Sequence, residues 1–162
     1  MAIGLGIVVA SSGVTYLAVQ GWDPRAPVAE TGDGVAFERI DTSGQGFRPL
    51  AGISVFQDEA NWSSFWYSYD SSQPSRPPPA VNFTQYTVIV LSQGMRGSAG
   101  YSLNVTAVHH QGSGLLVDAQ ETDPGSGCFV APVLDWLHDI VKVPKNTGPV
   151  DVLLHWNNAP CL

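Results

Sequence analysis

Alternating and continuous apolar runs between residues 86 and 156 predict a set of β-strands. Residues 87–91 read Thr-Val-Ile-Val-Leu, a β-branched run typical of a central strand that is covered on both faces. In residues 101–107 apolar and polar side chains alternate, which indicates a strand with one buried face. A similar alternation in residues 115–120 follows the turn at 111–114, so these two strands are predicted to pair as an antiparallel hairpin.

Weaker patterns predict the remaining strands. Residues 35–40 and 52–57 favour two early strands because they contain β-branched and aromatic side chains. Residues 140–143 and 150–156 predict two strands near the C-terminal end. Residues 131–138 indicate either one helical turn or a loop.

One amphipathic helix is predicted after residue 58. Asp58 is a suitable N-cap and Glu59 suits the first turn. Aromatic side chains then recur at steps of three and four residues and indicate a buried helix face: Trp62, Phe65, Trp66 and Tyr69. The Pro-rich residues 71–79 end the helix and form a stiff connector. The fold class predicted is α+β, mostly β, with an antiparallel sheet in a sandwich or partial barrel and the helix packed on it.

The N-terminal region has a different character. Residues 2–19 contain no charged side chain and are strongly apolar, and this length is at the lower limit for a membrane span. We interpret residues 1–22 as a signal peptide or an N-terminal membrane anchor, although the basic residues typical of a signal peptide are missing. Two alternatives are a buried strand or helix of the domain, and a strand that inserts into a neighbouring subunit. Residues 23–34 are predicted to be a linker, and residues 35–162 a single β-rich domain.

Charge and composition restrict the classes of partner. Charged residues make up 13% of the chain, and its 17 Gly and 12 Pro favour many turns. Seven basic and 14 acidic residues give a net charge of -7. Binding to nucleic acid needs clustered Lys and Arg, so we expect no nucleic-acid partner.

The two cysteines, Cys128 and Cys161, are predicted to form a disulfide that ties the C-terminus to a loop. Such a bond would contribute roughly 3 kcal/mol to the stability of the fold. The alternative is two free thiols. Neither cysteine has the spacing of a zinc site, so no metal is expected.

The four histidines do not indicate a catalytic or metal site. His109 and His110 are adjacent in a predicted strand, so they should point to opposite faces at the end of the hairpin. His138 is expected in a solvated loop, and His155 is expected to face solvent. No cofactor is expected either.

Serine and carboxylate patterns lead to the same expectation. No Gly-x-Ser-x-Gly elbow is present, and Asp118 and Glu121 are interpreted as exposed strand residues. We therefore expect a protein that is not an enzyme. A catalytic site built from scattered residues remains an alternative, which a pocket joining His109 or His110 to a carboxylate would favour.

A glycine-rich segment joins the two best strand patterns and is the candidate partner-binding loop. Its glycines permit unusual backbone conformations and close approach, while arginine and tyrosine are frequent in binding hot spots. The candidate residues are Gly94, Arg96, Gly97, Gly100 and Tyr101. The alternative is a plain flexible connection between strands.

The order of several short motifs resembles a known family. These motifs are VNFTQYTVIVLSQG, GSAGYSLNVTAV, LLVDAQETDPGSGC and DIVKVPK, within residues 80–150. In this order they resemble the C-terminal domain of the protease complex subunit PrcB. Ala99-Gly100-Tyr101 replaces the family's Gly-Gly-Tyr, and Trp136-Leu137-His138 replaces a segment that usually ends in Pro-Tyr.

The resemblance implies a noncatalytic domain of the cell envelope or of a secreted protein. The expected function is an exported or membrane-tethered binding or assembly domain, an accessory subunit that stabilises an envelope protease complex. Its expected partner is another envelope or secreted protein, such as a protease, with a membrane contact through the N-terminal segment. One alternative is a protease inhibitor, because the Gly-Tyr loop also looks like the tip of chagasin-like inhibitors. Another alternative is a structural or filament subunit.

Overall fold

The computed structural model describes residues 34–42, 46–72 and 74–160. The signal or anchor predicted at 1–22 and the second cysteine, Cys161, lie outside these ranges. Within them, no helix is long and apolar enough to span a membrane. The elements are β1 Glu38–Thr42, β2 Gly52–Phe56, α1 Glu59–Tyr69, β3 Tyr86–Arg96, β4 Ser102–Gln111, β5 Gly114–Pro124, β6 Asp135–Pro144 and β7 Val150–Ala159.

The strands form two sheets that share a core. A four-stranded sheet has the order β1-β6-β3-β2, and a three-stranded sheet has the order β4-β5-β7. The helix covers the other face of the four-stranded sheet, so the layers are helix, sheet and sheet. The mostly β fold class is confirmed as a sandwich with one packed helix. The sheet is not antiparallel throughout, because β5 and β7 are parallel. That pairing is possible because the chain crosses to the other sheet as β6 before it returns as β7.

The apolar run in β3 is buried on both faces, as predicted. Val88 and Val90 face the helix layer, and Ile89 and Leu91 face the three-stranded sheet. The predicted antiparallel hairpin of β4 and β5 is also confirmed. Burial of such side chains is the main favourable contribution to folding.

The helix forms as its sequence predicts. Asp58 caps it and accepts a hydrogen bond of 2.9 Å from the backbone N–H of Asn61. Trp62 and Trp66 are buried, and their indole N–H groups each donate a 3.0 Å hydrogen bond to a backbone carbonyl of the following segment, at Pro79 and Arg76 respectively. The two tryptophans therefore fix the Pro-rich connector across the helix.

Several predicted strand boundaries were wrong, and β4, β5 and β7 extend beyond the predicted ends to Gln111, Pro124 and Ala159. The first strand is Glu38–Thr42 and not 35–40. Residues 135–138, assigned to a loop or helical turn, are the first part of β6. They pair with the end of β3, which continues to Arg96 after a bulge between Ser92 and Gly94. Polar side chains and glycine concealed these strand ends, because pairing with a neighbouring strand outweighed their low β propensity.

An ion pair between a partly exposed arginine and a buried aspartate contacts the other sheet through Val105. Asp139 on β6 has no exposed surface, and its carboxylate accepts hydrogen bonds of 2.7 and 2.8 Å from the guanidinium of Arg39 on β1. The same carboxylate accepts a 2.7 Å hydrogen bond from the backbone N–H of Val105 on β4. The hydrogen bond to Asp139 raises the pKa of Arg39. These contacts hold β4 of one sheet against β6 of the other.

Candidate partner-binding end

The predicted loop is shorter than the sequence indicated. Gly94 and Arg96 lie in β3, and the connection to β4 is only the segment 97–101. Gly94 occupies the bulge with φ of 69°, and a Cβ there would lie 3.4 Å from the backbone nitrogen of Ala51. Glycine therefore suits this position, because its positive φ is a conformation that other residues rarely adopt.

Arg96 is engaged inside the protein. Its Nη2 group donates to the carboxylate of Glu121 on β5, and its Nη1 group donates a 2.8 Å hydrogen bond to the carbonyl of Gln93. The guanidinium also lies over the ring of Tyr101, 5.6 Å from its centroid. Glu121 is only 2% exposed, so the expectation that it is an exposed strand residue was wrong. Arg96 compensates a buried carboxylate, which would be costly without a partner.

The segment 97–101 rests on the long connection between β5 and β6. The backbone N–H of Ala99 donates a 2.9 Å hydrogen bond to the carbonyl of Ala131. Gly100 has φ of 94°, and a Cβ there would lie 3.2 Å from the Cβ of Pro124. The five candidate residues therefore lie at one end of the molecule, where both sheets terminate.

Several large apolar side chains are exposed at this same end. Leu50 follows Pro49 and precedes Ala51, which contacts Gly94 of β3. Met95 is the neighbour of Arg96, and the others lie in the connection that contacts segment 97–101. We call this surface the apolar end, and its residues are Leu50, Met95, Phe129, Val133 and Leu134. The apolar end was not predicted from the sequence, although the mostly apolar run Phe-Val-Ala-Pro-Val-Leu at 129–134 was a feature that could have indicated it.

The sequence motifs follow one another along the part of the chain that runs from β3 to the start of β7. Residues 87–150 match the family model described as PrcB C-terminal. The PrcB resemblance of this segment is confirmed. No curated protein and no solved structure matches the chain.

The PrcB-like segment contains most of the candidate site. Segment 97–101 and the connection 125–134 both lie inside it, as do Met95, Phe129 and Leu134 of the apolar end. The helix with its aromatic face and the C-terminal part of β7 lie outside it. The match therefore covers four of the five residues of the apolar end, and Leu50 lies outside it.

His138 lies within the PrcB-like segment and is not in a solvated loop, so that expectation was wrong. It is 1% exposed, and its ring packs edge-on against Phe47 with 5.2 Å between the ring centroids. Its Nδ1 atom lies 3.0 Å from the carbonyl oxygen of Trp136. Burial lowers the pKa of His138 because the charged imidazolium loses its hydration.

Two histidines flank Asp118 on the outer face of the three-stranded sheet. The Nε2 atom of His109 lies 3.1 Å from Oδ2 of Asp118, and the Nε2 atom of His155 lies 3.7 Å from its Oδ1. Asp118 and His155 are partly buried and not fully exposed as expected, whereas His110 is exposed. The enzyme alternative named a pocket that joins His109 or His110 to a carboxylate, and the structure shows the contact between His109 and Asp118. Over residues 34–42, 46–72 and 74–160, no group of three or more His, Cys, Asp or Glu side chains has an arrangement that could hold a metal ion.

Cys128 lies beside the C-terminal end of β7. Its backbone N–H donates a 3.0 Å hydrogen bond to the carbonyl of Gly125, and the N–H of Gly125 donates one of 3.0 Å to the carbonyl of Ala159. None of the cysteines that the structure describes is a free thiol. Cys161 lies outside the described residues, so the Cys128–Cys161 disulfide stays a prediction.

Proposed function

We propose that the protein is a noncatalytic binding or assembly domain, exported or tethered to the membrane, that acts as an accessory subunit of an envelope protease complex. The match of residues 87–150 to the PrcB C-terminal family carries this proposal. In the proposed complex, the apolar end contacts the partner protein.

The exposed side chains of the apolar end support a protein partner. Leu50 and Leu134 are 72% and 62% exposed, and the Phe129 side chain is fully exposed. Large apolar side chains that are exposed together at one end of a domain are typical of sites of protein association. Met95 lies on β3, and the connection that carries Phe129 and Leu134 is hydrogen-bonded to segment 97–101 through Ala131.

The contacts of segment 97–101 favour assembly over the protease-inhibitor alternative. An inhibitory tip must project into the cleft of a protease. In this chain Ala99 is hydrogen-bonded to Ala131 and Gly100 packs on Pro124. The segment is thus packed against its neighbours as part of a broader surface and does not project as a tip.

The proposed location outside the cytoplasm has its support in the sequence. The uncharged apolar residues 2–19 suit a signal peptide or an anchor. A disulfide between Cys128 and Cys161 would suit an oxidising compartment.

Site-specific photocrosslinking in the native host tests the proposal. A benzophenone amino acid replaces Phe129 in the apolar end or, as the control, Tyr67, an exposed aromatic residue of the helix. We expect a crosslinked envelope protein, identified by mass spectrometry as a protease or a protease-complex subunit, from position 129 and not from position 67. Equal crosslinking from both positions, or none from position 129, would contradict the proposal.

A further inference from the structure

The open end of the sandwich, next to the apolar end, carries a group of charged side chains between the two sheets. Along β5, Leu115, Val117 and Ala119 face the shared core, and the alternation continues with Glu121 and Asp123 on the same face. Arg96 on β3 and Asp135, its paired residue on β6, face Glu121 and Asp123 from the other sheet. We call this group the carboxylate mouth, and its residues are Arg96, Glu121, Asp123 and Asp135.

The mouth has an excess of negative charge. Within this group three carboxylates face the guanidinium of Arg96, which bonds to Oε1 of Glu121. The guanidinium of Arg48 lies nearby over the ring of Trp136, the neighbour of Asp135. The other carboxylate oxygen of Glu121, Oε2, and Oδ1 of Asp123 are buried and have no hydrogen-bond partner among the described residues. The carboxylate of Asp135 accepts a 2.9 Å hydrogen bond from the backbone N–H of Trp136.

Buried acceptors without donors cost free energy, and this cost is larger when they are ionised. Because the side chain of Glu121 is almost fully buried, solvent provides little compensation. A ligand that brings positive charge and N–H donors would remove this cost. A group with positive charge and N–H donors is therefore the chemistry that suits these two oxygen atoms.

We infer that the carboxylate mouth binds a lysine or arginine side chain of the partner protein that docks on the apolar end. The inference rests on the proposed function for the identity of the partner as a protein. The mouth and the apolar end are continuous, since Met95 precedes Arg96 and Leu134 precedes Asp135. A basic side chain framed by apolar contacts matches that arrangement, and the net charge of -7 favours approach of a basic surface.

An aromatic ring borders the mouth and suits the same ligand. Trp156 on β7 is the register partner of Glu121, so both side chains lie on one face of the sheet. It is 47% exposed. Aromatic faces attract ammonium and guanidinium groups.

The test uses a peptide pair that differs only in charge. The 15N-labelled full chain is titrated with acetyl-Leu-Arg-Leu-amide and with the same peptide in which neutral citrulline replaces arginine. We expect the arginine peptide to shift the amide signals of Arg96, Glu121 and Asp123, and to bind at least about tenfold more tightly than the citrulline peptide. Equal binding of the two peptides, or no shift at these residues, would overturn the inference.

Variants on the two faces of β5 locate the interaction. Asp123→Asn keeps the size of the side chain and should weaken binding of the arginine peptide about tenfold. Asp118→Asn, on the outer face of the same strand, should leave it unchanged. Equal effects of both variants would overturn the inference, as would the same shifts produced by Ca²⁺ alone. If Asp123→Asn fails to fold, the comparison of the two peptides on the unaltered chain still decides.

This test and the crosslinking test can fail separately. If position 129 still crosslinks to a partner but the arginine and citrulline peptides bind equally, only the inferred cation site is wrong. If the arginine peptide binds selectively but position 129 gives no partner, the proposed function is wrong and the cation site remains.

Discussion

Arg96 on β3 forms an ion pair with the buried carboxylate of Glu121 on β5, and this pair joins the two sheets at the end that carries the apolar surface. The sequence indicated Arg96 as a side chain free to contact a partner. Its contacts with Glu121, Gln93 and Tyr101 make it a structural support of that surface.

Arg96→Ala should therefore destabilise the protein. The variant leaves Glu121 buried without its cation, which we expect to lower the free energy of unfolding by about 2–4 kcal/mol. The double variant Arg96→Leu/Glu121→Leu should regain most of this loss, because it removes both charges. Urea denaturation measures both effects, and a change of less than about 0.5 kcal/mol for Arg96→Ala would mean that the pair behaves as an exposed one.

Gly100→Ala should destabilise the protein, and Gly97→Ala provides the matched control. Gly100 combines φ of 94° with a close approach to Pro124, whereas a Cβ at Gly97 would meet no atom within 4 Å. We expect a loss of about 1–2 kcal/mol for Gly100→Ala and a change below about 0.5 kcal/mol for Gly97→Ala. Thermal unfolding of the two variants checks this difference, and similar melting temperatures would refute the role assigned to Gly100.

Burial of His138 predicts a pH dependence of stability. Its pKa in the folded protein is lower than the ordinary value of 6.5, so the unfolded chain binds more protons between these two pKa values. Stability contributed by neutral His138 is therefore complete above pH 6.5 and is lost as the pH falls toward the folded pKa. Urea denaturation at pH values from about 5 to about 8, on both sides of the usual histidine pKa, measures this effect. As the pH falls, the free energy of unfolding should decrease less for His138→Gln than for the unaltered protein. The exposed His110→Gln control should keep the slope of the unaltered protein.

A disulfide between Cys128 and Cys161 predicts no reactive thiol in the unreduced protein. The hydrogen bond between Gly125 and Ala159 places the turn of Cys128 beside the end of β7, two residues before Cys161. Cys128→Ser should lower the free energy of unfolding by roughly 3 kcal/mol. Thiol titration under denaturing, non-reducing conditions checks the pairing, and two reactive thiols per chain would disprove it.

The parts of the fold that were predictable are those in which local pattern and final burial agree. The run 87–91 and the aromatic spacing of Trp62 and Trp66 each specify one element, and both occur as predicted. The PrcB resemblance was likewise carried by the order of motifs along the chain.

The polar residues of the interior could not be placed from the sequence. Alternation along β5 puts Glu121 on the core face, but its charge argued for solvent, and only the position of Arg96 on another sheet resolves the conflict. His138 likewise packs edge-on against Phe47, a residue that is distant in the chain. Such positions depend on contacts between residues that are distant in the chain, which local patterns do not contain.

The apolar end was missed because exposure of Phe129 and Leu134 is a property of the assembled sandwich. Apolar side chains in a connection between strands are as consistent with burial as with exposure, since sequence does not show what covers them.

The central claim is that the apolar end binds a partner protein, and the affinity of the crosslinked partner for defined variants tests it most directly. Phe129→Ser/Leu134→Ser should weaken binding at least tenfold, an effect of about the size expected for central apolar contacts. Tyr67→Ser, on the helix, should leave the affinity unchanged. Equal affinity of the double variant and the unaltered protein, measured by calorimetry, would contradict the claim.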